Sequence, residues 1–241
     1  MEATVIAYAR QKTLFSRMEV LANNVANSDT SGFKSDLAVY LNDNKVINGK
    51  ANPVPKMIIQ PDLSAGSFKS TGRPLDVAIQ GDGYFQLETP AGTRFTKSGS
   101  FTINDQGQLS TQQGYILQGD AGAITLEPDD QEIRIDRNGE VTVKNNGLSA
   151  IRGQIGVVTF QNPSSLVKVG NNNFSSSEAP EQLTIDQYEI AQGVVEQSNV
   201  QSVKQITELI DVSRGVQQLA KIIDTQYQLE RNAVSRIAGS N

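Results

Sequence analysis

Acidic side chains are the main candidates for catalysis in this 241-residue chain, because it contains no histidine and no cysteine. Ser-His and Cys-His nucleophilic catalysis is therefore excluded, and a structural zinc site lacks its usual ligands. A glycan hydrolase would need two carboxyl groups roughly 5–9.5 Å apart across a cleft. The candidate acids show no such organisation in the sequence: Asp76, Asp82, Glu88, Asp105 and Asp120. We predict a non-enzymatic protein without a metal or other cofactor, and keep a carboxylate-based cell-wall enzyme as the weaker alternative.

Three glycine-containing segments resemble ligand-binding loops but are better explained as turns. Gly81-Asp82-Gly83 starts like a dinucleotide-binding fingerprint, yet Gln86 stands where the third glycine is required. The segments 104–107 and 136–139 carry oxygen ligands, but neither fits the glycine and glutamate positions of an EF-hand loop. We interpret both as hairpin turns. An acidic run is interpreted as a solvated strand end: Glu127, Asp129, Asp130 and Glu132.

The charge balance restricts the partners. The net charge is -5 and the pI is ≈ 4.9, which argues against nucleic-acid binding and against a polybasic membrane anchor. No stretch approaches the ~20 apolar residues of a membrane-spanning helix, and the first ten residues lack the basic region of a cleavable signal peptide. We expect no nucleic acid, no small-molecule substrate and no direct membrane insertion.

Both ends of the chain carry apolar stripes with helical spacing. One stripe consists of Val203, Ile206, Ile210, Ser213, Val216, Ala220, Ile223 and Tyr227. The other consists of Ala7, Gln11, Leu14, Met18, Leu21 and Val25. A narrow seam on a long helix must be covered by another helix. We predict that the two stripes form an assembly interface, covered by the opposite terminus or by neighbouring subunits; an intramolecular hairpin in a monomer is the alternative.

Local signals set the helix bounds. The N-terminal helix is predicted over residues 3–26. The C-terminal helix is predicted to begin at Ser198, which forms a capping box with Gln201, and to stop at Gly239. Gly215 lies inside the second helix, where we favour a close helix approach over a tolerated defect. At Gly32 we expect a positive φ, and we expect Gly32→Val to disturb assembly while the β domain unfolds normally.

The middle of the chain is predicted to form short β-strands separated by turns. Alternating residues on either side of Asn138-Gly139 give the clearest hairpin, and residues 161–182 read as a polar loop. We predict an α+β fold with long terminal helices paired as a coiled-coil-like domain and a central antiparallel all-β domain. The segments are an N-terminal assembly helix, an extended connector with short strands, the central β domain and a C-terminal assembly helix: 1–32, 33–74, 75–190 and 191–241.

Three ordered blocks along the chain carry characteristic motifs. The first block is the end of the N-terminal helix and the following turn, with Asn23, Asn24, Ala26, Asn27, Thr30, Gly32 and Phe33. The second runs over 75–85, with Gly81, Asp82, Gly83, Tyr84 and Phe85, and continues over 94–101. The third is the entry to the last helix, with Ser198, Asn199 and Val200. Together the three blocks resemble the flagellar rod and hook axial proteins.

Length and the C-terminal tail narrow the resemblance. The chain is too long for the short proximal rod proteins without a β block and too short for hook proteins. The run from Tyr227 to Ile237 is similar to the tail of one proximal rod subfamily, and the distal rod subfamily is the alternative. One departure is Gly215-Val216 after Arg214, where the family has an aromatic residue.

The resemblance implies a structural axial subunit of the bacterial flagellar basal-body rod. Such subunits polymerise helically into a hollow drive shaft that transmits torque and surrounds the export channel. The implied partners are further copies of the chain, neighbouring rod proteins and, during secretion, the flagellar type III export apparatus. The implied location is the rod across the periplasm, reached without a cleavable signal peptide. A non-polymerising adaptor is the remaining alternative.

Overall fold

The computed structural model describes residues 2–41, 46–47, 50–51 and 56–238. Two helices lie at the ends of the chain and strands fill the middle, so the predicted α+β class is confirmed. The described residues form two compact units. The first lies within 1–27, 36–62 and 200–241, and the second consists of 28–35 and 63–199.

The first unit contains both helices and two hairpins. The helices are α1 (Glu2–Ala26) and α2 (Ser202–Ala238). Strand β1 (Asp36–Leu41) pairs antiparallel with β4 (Lys56–Pro61), and β2 (Val46–Ile47) pairs with β3 (Lys50–Ala51). The bounds of α1 agree with the prediction of 3–26.

The predicted start of the second helix was wrong. Helix α2 begins at Ser202, four residues after the predicted cap at Ser198. The reason is that the preceding backbone is engaged elsewhere: the N–H of Gln197 donates to the carbonyl of Ser67 (2.7 Å), and the N–H of Asn199 donates to the carbonyl of Phe33 (3.3 Å). These extended-chain hydrogen bonds compete with a helical turn, so the helix begins only after them.

The second unit is built from short strands, and every strand pairing among its residues is antiparallel. Its largest sheet runs β17-β18-β8-β7-β11-β10-β9, with β12, β16 and β19 attached; the other sheets are β13-β14-β15, β20-β6 and β21-β5. The strands are β5 (Phe68–Ser70), β6 (Val77–Gln80), β7 (Tyr84–Thr89), β8 (Gly92–Thr96), β9 (Thr102–Ile103), β10 (Leu109–Ser110), β11 (Ile116–Gly119), β12 (Gly122–Ala123), β13 (Asp130–Ile135), β14 (Glu140–Asn145), β15 (Leu148–Gln154), β16 (Val157–Thr159), β17 (Leu166–Lys168), β18 (Phe174–Ser176), β19 (Glu181–Gln182), β20 (Glu189–Gln192) and β21 (Val194–Glu196).

Two apolar clusters form the core of the second unit. The first core cluster includes Phe85, Leu87, Phe101, Leu117 and Val141, all nearly inaccessible to solvent. The second core cluster packs aromatic rings edge to face, with Tyr84, Phe95, Phe160 and Phe174 around Leu166 and Val158. Such rings bury large apolar areas, so the order of this unit rests mainly on these clusters.

The predicted turns are confirmed, whereas the predicted polar loop was wrong in part. Gly81-Asp82-Gly83 links β6 to β7, and the segments 104–107 and 136–139 close the hairpins β9–β10 and β13–β14. Residues 161–182 contain a 3₁₀ turn (Pro163–Ser165) and three short strands. Leu166 and Phe174 bury their side chains in the second core cluster, and this apolar anchoring orders an otherwise polar segment.

Within the described residues, neither helix combines the length and the apolar character needed to cross a lipid bilayer.

Candidate functional site

The N-terminal apolar stripe lies on the covered side of α1. Leu21 is buried, and Leu14, Met18 and Val25 are half-buried. The guanidinium of Arg17 lies 3.4 Å from the carboxylate of Glu208 on α2. Helix α2 therefore provides cover for this stripe within the same chain.

The face of α2 that packs on α1 differs from the predicted stripe. Val212 is its most buried residue, with 5% of its surface exposed. Other half-buried residues continue this face at helical spacing: Gln205, Glu208, Leu209, Val216, Leu219, Ile223 and Gln226. Val216 and Ile223 belong to the predicted stripe, but Leu209, Val212 and Leu219 were missed.

Most of the predicted α2 stripe remains exposed. Val203 is 82% exposed, Ile210 48% and Tyr227 56%, and Ile206 and Ala220 are exposed as well. The reason is geometric. The stripe advances by less than 3.6 residues per turn, so it drifts roughly 120° around a straight helix from Val203 to Tyr227. Only part of it can therefore reach the covered face.

Gly215 does not provide the close helix approach that the sequence suggested. A Cβ atom at this position would lie 3.8 Å from Cδ1 of Leu14, an ordinary van der Waals distance. Gly215 borders a cleft between the helices, together with Leu14, Arg17, Glu208, Asp211 and Val212. An alanine would fit here in the isolated chain.

Asn24 fastens the end of α1 to its surroundings in the first unit. Its side chain is buried, its Oδ1 accepts from the N–H of Asp36 (2.8 Å), and its Nδ2 donates to the carbonyl of Asp36 (2.9 Å). The same Nδ2 lies 3.2 Å from Oε1 of Gln205 on α2. Asn23 donates to the Asp36 carboxylate (3.3 Å) and also accepts from Asn27, just after the end of α1 at Ala26.

Residues 28–35, which we name the strap, belong to the second unit. The N–H of Gly32 donates to the carbonyl of Glu196 (2.7 Å), and Nδ2 of Asn172 donates to the carbonyl of Ser31 (2.7 Å). Thr30 accepts from the N–H of Phe33 (3.2 Å) in a tight turn. The expected positive φ of Gly32 is confirmed at +67°. The strap is thus the part of the first family-like block that belongs to the β unit.

A buried ion pair fixes the strap. Lys34 is 1% exposed and Glu196 is 2% exposed, and their Nζ and Oε1 atoms are 2.7 Å apart. The Lys34 Nζ also donates to the carbonyl of Ser64 (2.7 Å), and the same Glu196 oxygen accepts from the N–H of Gly66 (2.9 Å). We name these four residues the clasp. Neither residue was predicted from the sequence to belong to a site, because a charged residue is ordinarily expected to be exposed.

The third family-like block meets the first at the strap. Oδ1 of Asn199 accepts from the N–H of Ser35 (2.7 Å), and its Nδ2 donates to the carbonyl and hydroxyl oxygens of Ser64 (both 3.1 Å). Ser198 and Val200, on either side, are half-buried. Residues that are far apart in the sequence are therefore joined by direct hydrogen bonds.

The second family-like block lies in the β core. Phe85 packs edge to face on Phe101. The Nζ of Lys97 lies over the ring of Tyr84 and donates to the carbonyl of Gly81 (2.7 Å). Burial lowers the pKa of Lys97 to about 8 and raises the pKa of Tyr84, to which the nearby carboxylate of Asp82 adds. These groups shape the turn after β6 rather than a catalytic pair.

The predicted solvated strand end at β13 holds for Glu127, Asp129 and Glu132, which are exposed, but was wrong for Asp130. Arg152 donates to both carboxylate oxygens of Asp130 (2.7 and 2.6 Å) and to Glu127 (2.8 Å). The Asp130 side chain is almost fully buried, and its hydrogen bonds with Arg152 lower its pKa to about 2. Among the described residues, no group of three metal-ligating side chains could hold a metal ion.

Three family models match the chain in the order of its blocks. Residues 8–34 match the flagella basal body rod protein model, residues 78–143 match the flagellar hook protein FlgE/F/G D1 domain, and residues 191–236 match the flagellar basal body rod FlgEFG C-terminal model. The matched segments cover most of α1 and of the strap, part of the β core, and most of α2 with Asn199.

Full-length relatives agree with these models. The chain is 36% identical to the flagellar basal-body rod protein FlgF of Caulobacter vibrioides, over 99% of both chains. It is 32% identical to FlgG of Bacillus subtilis, over 93% of this chain and 94% of that one, and 33% identical to FlgF of Mesorhizobium japonicum, over 92% of both. The chain therefore belongs to the flagellar basal-body rod protein family.

Proposed function

We propose that the chain polymerises helically into the hollow drive shaft of the flagellar basal-body rod, as a proximal subunit of the FlgF type. Its family is structural and not enzymatic, and the chain is a structural subunit of the basal-body rod. In this role it assembles with other rod components, transmits torque and surrounds the export channel. The FlgG type is the alternative, because relatives of both types align over nearly the whole chain.

The exposed apolar stripe of α2 is the observation that carries this proposal. Val203, Ile210 and Tyr227 present large apolar side chains to solvent on a helix that already packs on α1. Helix α2 has 37 residues and α1 has 25, so α2 is roughly 18 Å longer at 1.5 Å per residue. Apolar surface of this kind is typical of a protein–protein interface.

The assembly residues divide into two roles under this proposal. A first group packs between α1 and α2 of one chain in a coiled-coil-like pair: Leu14, Met18, Leu21, Val25, Val216 and Ile223. A second group packs on helices of neighbouring subunits: Val203, Ile206, Ile210, Ala220 and Tyr227. The segments 1–32 and 191–241 then serve assembly, while 75–190 forms the β domain and 33–74 connects them.

Family membership supports two further parts of the proposal. The chain is exported unfolded through the flagellar type III apparatus without a cleavable signal peptide, and it functions in the part of the basal body that crosses the periplasm. Terminal helices that gain further stability when subunits meet suit such a route, because association stabilises the folded state by mass action.

The test replaces Ile210 by aspartate in cells that depend on this chain for motility. Because Ile210 is exposed in the single chain, Ile210→Asp should leave thermal unfolding of the purified subunit within about 0.5 kcal/mol of wild type. Burying that charge between subunits would cost several kcal/mol, so complete rods should be missing from electron micrographs of basal bodies.

Gln218→Asp is the matched control. Gln218 is exposed on the same helix, about 80° around the axis from Ile210, and it receives the same charge without losing an apolar side chain. Normal rods in the Ile210 variant at normal expression would refute the interface. Complementation of strains lacking FlgF or FlgG then assigns the type, since only one of them should regain motility.

A further inference from the structure

Two stretches of the second unit adjoin the helices in the sequence: the strap and residues 196–199. The strap begins two positions after Ala26, the last residue of α1, and residues 196–199 end three positions before Ser202, the first residue of α2. Within the second unit the two stretches are held together by backbone hydrogen bonds, Gly32 N–H to Glu196 O (2.7 Å) and Asn199 N–H to Phe33 O (3.3 Å). The points where the chain leaves this unit towards both helices are therefore joined.

The strap contributes nothing to either apolar cluster of the β unit. The first and second core clusters draw all their described members from residue 63 onward. Phe33 is buried outside these two clusters, and the other described contacts of the strap are mainly polar. They include the clasp, the Asn199 and Asn172 side-chain amides, and the amine of Lys168, which donates to the carbonyl of Lys34 and lies 4.2 Å from the ring centre of Phe33. Segments with few buried apolar contacts open at lower free energy than the core.

We infer that the strap is a closable element whose lock is the buried Lys34–Glu196 pair. When closed, it fixes the spacing of the two exits towards α1 and α2. When the lock is removed, the strap and the strands beside it open while the core of the β unit stays folded. The inference concerns the isolated chain and stands whether or not the chain polymerises as proposed.

The chemistry of the pair makes it a lock. Glu196 keeps only the N–H of Gly66 on its Oε1 atom if the Lys34 ammonium is removed. A buried carboxylate without its countercharge is strongly unfavourable, whereas replacing both charges by apolar side chains of similar volume is often neutral. In a variant that lacks only the Lys34 ammonium, opening the strap lets water reach Glu196 and so removes the cost of the unpaired buried charge. A double apolar replacement removes this reason to open.

Hydrogen exchange followed by mass spectrometry on the full chain tests the inference. In Lys34→Met, exchange should become at least ten-fold faster in residues 28–35, 64–70 and 194–199. Exchange in β7 and β14 should stay within two-fold of wild type. The control is Lys144→Met, which deletes an exposed ion pair with Glu132 (2.6 Å); it should leave the strap peptides unchanged.

The double variant Lys34→Met/Glu196→Leu separates charge from lost packing. Its strap peptides should return to within about three-fold of the wild-type exchange rate. A double variant as open as the single one overturns the electrostatic lock. The inference also fails if Lys34→Met accelerates exchange throughout β7 and β14 or prevents folding, because the strap is then part of the global core. Unchanged exchange in Lys34→Met overturns it equally.

Discussion

Replacing Gly32 by alanine should destabilise the β unit, and this prediction tests how the strap is seated. Gly32 has a φ of +67°, a region that costs a residue with a Cβ atom roughly 1–2 kcal/mol. A Cβ atom here would also lie 2.4 Å from the nitrogen of Ser98 and 2.5 Å from the carbonyl carbon of Lys97. Both are backbone atoms, so no side-chain rotation can relieve the contact.

The expected magnitude is the sum of these two costs. Overpacking of a tight site typically costs about 1–3 kcal/mol, so Gly32→Ala should lower the free energy of unfolding by about 2–5 kcal/mol. Gly72→Ala isolates the first cost. Gly72 has nearly the same φ, +70°, but a Cβ atom there would meet nothing within 4 Å. That variant should lose only about 1–2 kcal/mol.

Urea unfolding of the two variants, followed by tyrosine fluorescence, measures the difference. With a slope of about 1–3 kcal/mol per molar urea, the midpoint of Gly32→Ala should fall below that of Gly72→Ala by about 1 M. Equal midpoints would refute the seating of Gly32 on the Lys97–Ser98 backbone. The expectation that Gly32→Val disturbs only assembly is contradicted by this contact, since Gly32 is part of the β unit.

Two other substitutions give results that follow from single contacts. Gly215→Ala should stabilise the purified subunit by about 1 kcal/mol, because it removes a helix-interior glycine and its Cβ atom stays 3.8 Å from Leu14; a lower melting temperature by circular dichroism would contradict this. Asp130→Asn should cost about 2–3 kcal/mol at pH 6, since Arg152 loses a charged partner. The pKa of Asp130 is about 2 against a usual 3.8, so its ionised form stabilises the wild type above pH 4, and that stabilisation disappears as the pH falls from 3.8 through 2. The gap in urea midpoint between wild type and variant should therefore be clearly smaller at pH 2.5 than at pH 6; a constant gap would count against this assignment.

The α2 helix shows where periodicity stops being informative. Its apolar residues fill two faces, one around Val212 and one around Ile210, which lie roughly 160° apart around the axis. Spacing alone identifies both as helical but cannot say which face is covered within the chain. The stripe from Val203 is predicted as the buried seam because its steps fit a heptad. A heptad pattern, however, drifts around a straight helix.

The clasp could not be predicted from local sequence. Lys34 and Glu196 are 162 positions apart, and a charged residue is ordinarily read as exposed. Their burial depends on Ser64, Gly66 and the strap backbone, which only the folded unit brings together. The hairpin at Asn138-Gly139, by contrast, was predictable, because a turn and its flanking alternation are local. The strands within 161–182 were missed because two buried anchors, Leu166 and Phe174, are enough to order a polar segment.

The hydrogen bonds of Asn24 have a consequence for the chemical ageing of the protein. Its side-chain amide accepts from one backbone group of Asp36 and donates to another, as a neighbouring strand would. Hydrolysis of that amide to a carboxylate would keep the acceptor and abolish the donor. The new negative charge would face the Asp36 carbonyl and the Gln205 oxygen, both acceptors. A modification of one mass unit at a 1% exposed position would thus remove the donated hydrogen bonds from the end of α1 to Asp36 on β1 and to Gln205 on α2, with no change in chain length.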